Sequence, residues 1–125
     1  MYASQLQSYN QVKKVTMSAR EIEASVLTKA ARMLQECQNN WDGSDSEVRL
    51  QDALRHNQLI WSVFQTELSK EDNPLPKKLK EDILSLSAFI DKRIFEIMAN
   101  PISEKLTIII NINLNLAAGL RVAPA

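Results

Sequence analysis

A chain of 125 residues, 45% of them hydrophobic, is long enough to form one domain with its own core, without help from a disulfide or a metal. Its 15 basic and 15 acidic residues cancel, which argues against a nucleic-acid binder, because such proteins usually carry a basic excess. The single cysteine, Cys37, excludes an intramolecular disulfide and suits a reducing compartment.

The scarcity of turn residues favours helices over strands. Two glycines and four prolines are too few for an all-β domain, which needs a turn about every ten residues. We expect an all-α fold: a small bundle of three long helices plus a C-terminal helix and a short N-terminal helix, in a single domain over residues 1–125. The first 14 residues lack the apolar stretch of a secretion signal, and the longest apolar run covers only residues 108–110. We therefore expect a soluble, cytoplasmic protein with no membrane span.

Residues 3–15 are polar apart from a narrow apolar stripe at Leu6, Tyr9 and Val12. This spacing of three predicts a short, weakly held helix or an extended arm, with residues 1–17 loosely packed. A stronger helix follows, because Ser18 and Glu21 form a capping-box pattern. Its apolar residues recur every three or four positions until about residue 39, which predicts one buried face: Ile22, Val26, Leu27, Ala30, Met33, Leu34 and Cys37.

Two loops separate the next two helices. The dipeptide Asp42-Gly43 predicts a turn, after which a helix restarts at Ser46 or Glu47. Its apolar seam is Leu50, Leu54, Trp61, Phe64 and Leu68, broadened by Ile60 and Val63. A second loop spans residues 71–76, and Pro76 suits the first turn of the following helix. That helix carries one apolar face and should end before Pro101: Leu79, Ile83, Leu86, Ile90, Ile94 and Ile97.

The last segment has two interpretations. Apolar residues at 108, 110, 112, 114 and 116 alternate with others, which favours a strand. Ser103 and Glu104 favour a helix start, however, and Gly119 stands where the glycine that ends a helix is expected. A lone strand in a helical protein would also leave unpaired edges.

No set of residues predicts an active site, a cofactor site or a metal site. His56 lies one turn after Asp52, but an exposed polar face explains the pair better than an acid–base dyad. Cys37 continues the apolar stripe of its helix, as a buried cysteine would. Lys77, Lys78 and Lys80 lie near a predicted helix start, either as a solvated surface or as a patch for RNA or an acidic partner. We predict no enzyme.

In chain order, several segments resemble the FlaF family of flagellar regulators. Residues 106–120 are the most specific, with the sequences ININ at 110–113 and AAGL at 117–120. The other matching parts are Tyr9 and residues 20–24, 27–34, 57–64, 75–79, 83–86 and 89–91. Each motif is weak alone, but their order over about 100 residues carries the resemblance.

The resemblance implies a non-enzymatic cytoplasmic protein of bacterial flagellum assembly with an all-helical fold, which favours a helix at the C-terminal segment. It also implies binding of flagellin and support of its secretion, alongside the translational regulator FlbT. Flagellin termini form long amphipathic helices, and a small helical protein can cover one in a groove. We predict this groove at the C-terminal helix and the N-terminal arm: Leu6, Tyr9, Val12, Ile109, Ile112, Leu116 and Leu120.

Two other functions stay open. One is a post-transcriptional regulator that contacts RNA through Lys77, Lys78 and Lys80, although the neutral net charge makes nucleic acid an unfavoured partner. The other is a structural module that forms homodimers through the apolar surplus of residues 106–120. The sequence does not decide the oligomeric state.

Overall fold

The computed structural model describes residues 19–122. They form four α-helices and one short 3-10 turn, and this part of the chain contains no strand. The helices are α1 (Ala19–Asn39), α2 (Ser46–Leu68), α3 (Lys77–Ala99) and α4 (Thr107–Val122), with the 3-10 turn Ser103–Leu106 directly before α4. The all-α prediction is confirmed, as are three long helices and a shorter C-terminal one. The predicted N-terminal helix, the arm and Ser18 of the capping box lie outside the described residues.

The connections use the residues that the sequence pointed to. In the first loop, the Gly43 N–H donates to the Asn40 carbonyl at 3.0 Å. A Cβ at Gly43 would lie 3.2 Å from that oxygen, so the close approach favours glycine. In the second loop, Asn73 Oδ1 accepts from the Leu75 N–H at 3.0 Å, and Pro76 caps α3 with a φ of −55°. Both loops therefore end in well-defined helix starts.

The four helices run up, down, up and down. α4 packs along most of α1, α2 packs on α1, and α3 packs on α2, whereas α3 touches α4 over a much smaller area. Two side chains hold α1 and α4 antiparallel. Gln38 Nε2 donates to the Ser103 carbonyl and to Thr107 Oγ1, both at 2.9 Å, and Arg121 donates to Thr28 Oγ1 at 3.2 Å near the other end. This is the arrangement of an antiparallel four-helix bundle.

One apolar core runs between the helices. Its largest fully buried apolar side chains come from all four of them and from the 3-10 turn: Leu27, Leu34, Leu54, Trp61, Ile90, Ile94, Ile97, Leu106, Ile109 and Leu120. Burying side chains of this size supplies the main driving force for folding, at roughly 1.5–3 kcal/mol each.

Three expectations need correction. Val63 was predicted to broaden the apolar seam of α2, but it is 52% exposed. Ile22 and Val26 were predicted on the buried face of α1, but they are 47% and 37% exposed. The 3.6-residue period places both at the margin of that face, where α2 lies across an open groove and covers them only in part. Gly119 does not end α4, which continues to Val122, and no described glycine has a positive φ. A glycine needs no left-handed conformation where the helical hydrogen bonds simply continue.

Candidate functional site

The four predicted partner-binding residues of α4 fall into two groups. Ile109 and Leu120 are in the core, 0% and 1% exposed. Ile112 and Leu116 are half-buried at the edge of the core. The other three predicted residues, Leu6, Tyr9 and Val12, lie outside the described part of the chain. The binding role of all seven stays a prediction. Of the four on α4, Ile112 and Leu116 are partly exposed, so a partner can contact them.

Ile112 and Leu116 belong to a continuous apolar edge. With Ile108, which is 38% exposed, they are spaced by four residues and line one side of α4. We call Ile108, Ile112 and Leu116 the α4 stripe. The prediction missed Ile108, although its spacing of four from Ile112 was visible in the sequence.

The α4 stripe lies on the side of α4 away from α1. Thr107 and Arg121 bond to α1, and on the helix they project from the edge opposite the stripe. The stripe therefore lies toward α3, where α4 has few neighbours. This limited packing explains why three adjacent aliphatic side chains stay only partly covered.

The neighbouring edge of α3 adds an aromatic ring and a cation. Ser87 and Asp91 bond to Gln65 of α2, so that edge of α3 faces α2. Phe89 is two residues from each and therefore projects from the opposite side, where it is 38% exposed. The guanidinium carbon of Arg93 lies 5.6 Å from the centre of the Phe89 ring, and Arg93 Nε is 3.6 Å from a Glu96 oxygen. The open side of the bundle thus offers apolar surface with one cation beside it.

A buried polar cluster lies beneath α4. Asn113 Oδ1 accepts from Trp61 Nε1 at 3.0 Å, and Asn113 Nδ2 donates to Asn57 Oδ1 at 2.7 Å. Asn57 Nδ2 in turn donates to the carbonyls of Ala53 at 2.9 Å and Ala30 at 3.3 Å. All three side chains are fully buried. Because buried polar groups are costly unless paired, this cluster fixes the rotation of α4 and hence the direction of its stripe.

In the sequence, Asn113 stands at a position where the apolar face of α4 would otherwise continue. Its two asparagine neighbours, Asn111 and Asn115, are exposed. Asn57 drew no prediction of a structural role. A polar residue at the centre of an otherwise apolar helical face was the available signal, but its partners lie 52 and 56 residues away.

A second apolar surface lies between α1 and α2. Its rim is formed by Ile22, Val26, Leu59 and Val63, and the last two are 63% and 52% exposed. Ile60 and Phe64, each 7% exposed, form its floor, and the volume of this open groove is about 270 Å³. We call this feature the α1–α2 groove.

The reactive side chains are set apart from both surfaces. Cys37 is buried, and burial raises the pKa of its thiol, with a smaller contribution from Glu36. Burial also lowers the pKa of His56, assisted by the charge of Lys29. Within residues 19–122, no three His, Cys, Asp or Glu side chains gather as metal ligands would. The described helices also include none with the length and apolar character to cross a bilayer.

The lysines near the start of α3 do not form one uniform patch. Lys77 and Lys78 are exposed, and Lys80 is partly covered. Lys78 Nζ lies 3.2 Å from an Asp82 oxygen one turn later. This pair partly neutralises the local positive charge.

Comparison with known proteins adds one finding. A family profile described as "Flagellar protein FlaF" matches residues 5–120, which is nearly the whole chain. No curated protein and no solved structure is matched by the chain.

Proposed function

Because the chain belongs to the FlaF family of flagellar proteins, we propose that it binds flagellin in the cytoplasm and supports its secretion. The observation that carries the proposal is the α4 stripe, an aliphatic edge left partly open on the α3 side of the bundle. Action alongside the regulator FlbT is part of the same proposal. The role needs binding only, with no catalytic step.

The α4 stripe suits an amphipathic helix as its ligand. Residues spaced by four along α4 present apolar side chains in a row, and a client helix can place its own apolar side chains against them. Phe89 extends the apolar surface onto α3, and Arg93 beside it could pair with a carboxylate of the client. Since α3 and α4 contact one another over only a small area, a third helix can pack there without displacing the core.

Co-purification with flagellin tests the proposal. Ile108→Asp and Ile112→Asp place a charge in the stripe, and each should weaken flagellin binding at least ~10-fold, because a buried, unpaired carboxylate is costly at an apolar interface. The matched control is Asn111→Asp, which adds the same charge at an exposed position of the same helix. It should bind flagellin like the unmodified protein.

The two stripe variants differ in their risk to the fold. Ile112 is half-buried, so the binding result for its variant is interpretable only if the helical circular dichroism spectrum is retained. Ile108 is more accessible, and its variant provides a second test with less risk to the fold. If both variants fold and bind flagellin as tightly as the control, the stripe is not the flagellin surface. If the unmodified protein does not retain flagellin at all, the proposed function is wrong.

A further inference from the structure

The α1–α2 groove is unaccounted for by the proposed function, because it lies on another side of the bundle. Thr28 of α1 bonds to α4, whereas Ile22 and Val26 project from the edge of α1 that faces α2. Four aliphatic side chains at its rim, all more than one third exposed, form a contiguous patch. Patches of this kind on small proteins are usually covered by another segment or by a partner.

The groove adjoins the point where the described chain begins. Ile22 and Val26 follow Ala19 by three and seven residues, which is roughly 5 and 10 Å along the helix. Eighteen residues precede Ala19 in the sequence. Six of them, residues 13–18, separate Val12 from the start of α1 and can span about 20 Å when extended. Residues 1–12 can therefore reach the groove on the same molecule.

The composition of residues 1–18 matches the groove. Leu6, Tyr9 and Val12 supply a narrow apolar stripe that matches the aliphatic rim of the groove. Lys13 and Lys14 are the charged side chains of this segment, which has no carboxylate. Glu23, which lines the groove, already pairs with Arg20 at 2.6 Å, so the stabilisation comes from the apolar contacts.

We propose that residues 1–18 fold back and cover the α1–α2 groove of the same chain, with Leu6, Tyr9 and Val12 against Ile22, Val26, Leu59 and Val63. Attachment through Ala19 holds the segment beside the groove, so that docking is intramolecular and has a high effective concentration. This inference does not depend on flagellin binding, and it assigns Leu6, Tyr9 and Val12 to a groove of their own chain in place of the flagellin groove expected from the sequence.

Limited trypsin digestion tests the proposal through the native Lys13 and Lys14. A docked segment is cut only when it opens, so cleavage of the unmodified protein should be slow. Val63→Asp places a charge in the groove and should speed cleavage after these lysines by about 10-fold, since the docked state loses its apolar contacts. The cut sites are identified by mass spectrometry of the purified full-length chain.

Ser62→Asp is the matched control. Ser62 is exposed and adjacent to Val63, but it projects from a different face of α2 and does not line the groove. Its cleavage rate should equal that of the unmodified protein. Tyr9→Asp should speed cleavage like Val63→Asp, and the double variant should be cut no faster than either single one, because both remove the same contact.

Three results would overturn the proposal. The first is equally fast cleavage of the unmodified protein and of Val63→Asp, both with native circular dichroism. The second is additive acceleration in the double variant. The third is protection that rises with protein concentration, since that result would assign the groove to a second copy of the chain.

Discussion

The indole N–H of Trp61 donates to the side-chain oxygen of Asn113, 3.0 Å away, in the interior of the bundle. The bond joins α2 to α4, two helices whose backbones otherwise stay apart. Through Asn57, the same cluster reaches the Ala30 carbonyl of α1. Three helices thus share one buried polar centre, and its integrity should affect the stability of the whole fold.

Asn113→Leu should lower the free energy of unfolding by about 2–4 kcal/mol, because it leaves the Trp61 N–H and the Asn57 oxygen buried without a partner. Urea unfolding followed by circular dichroism measures the change. Asn111→Leu, at an exposed position of the same helix, should shift stability by less than about 0.5 kcal/mol. Equal unfolding midpoints for the two variants would show that the cluster contributes nothing.

A double-mutant cycle isolates the bond itself. Trp61→Phe removes the N–H and retains most of the apolar ring. Combined with Asn113→Leu, it should give a coupling energy of about 1–2 kcal/mol, since each single change disrupts the same interaction. Strict additivity would contradict a direct Trp61–Asn113 contribution.

The contrast between Ile94 and Phe95 tests the placement of α3. Ile94 is fully buried, and the next residue, Phe95, is 74% exposed. Ile94→Ala should cost about 2–5 kcal/mol, while Phe95→Ala should change stability by about 0.5 kcal/mol or less. Thermal unfolding of the two variants provides the comparison. A larger loss for Phe95→Ala would mean that α3 is rotated from the orientation described above.

The periodicity of the sequence was enough to predict these helices, because apolar residues every three or four positions leave few alternatives. It did not determine which neighbour covers each face. Ile22 and Val26 share the spacing of buried residues on α1, yet α2 covers them only in part. Whether such a residue is buried depends on how closely the adjacent helix packs against it. The hydrophobic period of one helix carries no information about that packing.

The buried polar cluster of Asn57, Trp61 and Asn113 could not be predicted from the sequence for a related reason. Asn57 and Asn113 come together only after α1, α2 and α4 have packed, and nothing local to either residue encodes the other. In the candidate site, the same limit applies to Ile109 and Leu120. They lie on the core side of α4, whereas Ile108, which was not predicted, lies on its open edge.

His56 should make stability depend on pH. Its pKa in the folded protein is below the ordinary value of 6.5. Burial of the imidazolium is the larger cause, and the positive charge of Lys29 is the smaller one. As pH falls below 6.5, His56 binds a proton in the unfolded chain before it does so in the folded protein. The folded state therefore loses stability between pH 6.5 and the lower pKa of folded His56. Above pH 6.5, His56 is neutral in both the folded and the unfolded protein, so none of this stability is lost.

Urea midpoints at pH 7.5 and pH 5.5 measure this effect. His56→Gln should reduce the loss of stability between those two values, because the variant cannot bind that proton. Other titrating groups are common to both proteins and cancel in the comparison. An unchanged pH dependence in the variant would exclude His56 as its source.

Cys37 should react with a thiol reagent only when the bundle opens. The residue is 6% exposed, and burial raises its pKa, so both access and the thiolate fraction are low. Labelling at pH 8 should be slow in the native protein and fast in denaturing urea, with the native rate rising in Asn113→Leu. Rapid labelling of the unmodified protein would contradict the described position of Cys37.

The pairing of α1 with α4 also constrains how this protein is made. Sixty-seven residues separate Asn39 from Thr107, so the two helices that share the most extensive contact are the first and the last of the described chain. On the ribosome, the apolar side of α1 emerges early and stays without its principal neighbour until synthesis has passed Val122. The nascent polypeptide therefore completes its core only after α4 has left the exit tunnel, and until then it offers a hydrophobic helix to chaperones of the translation machinery.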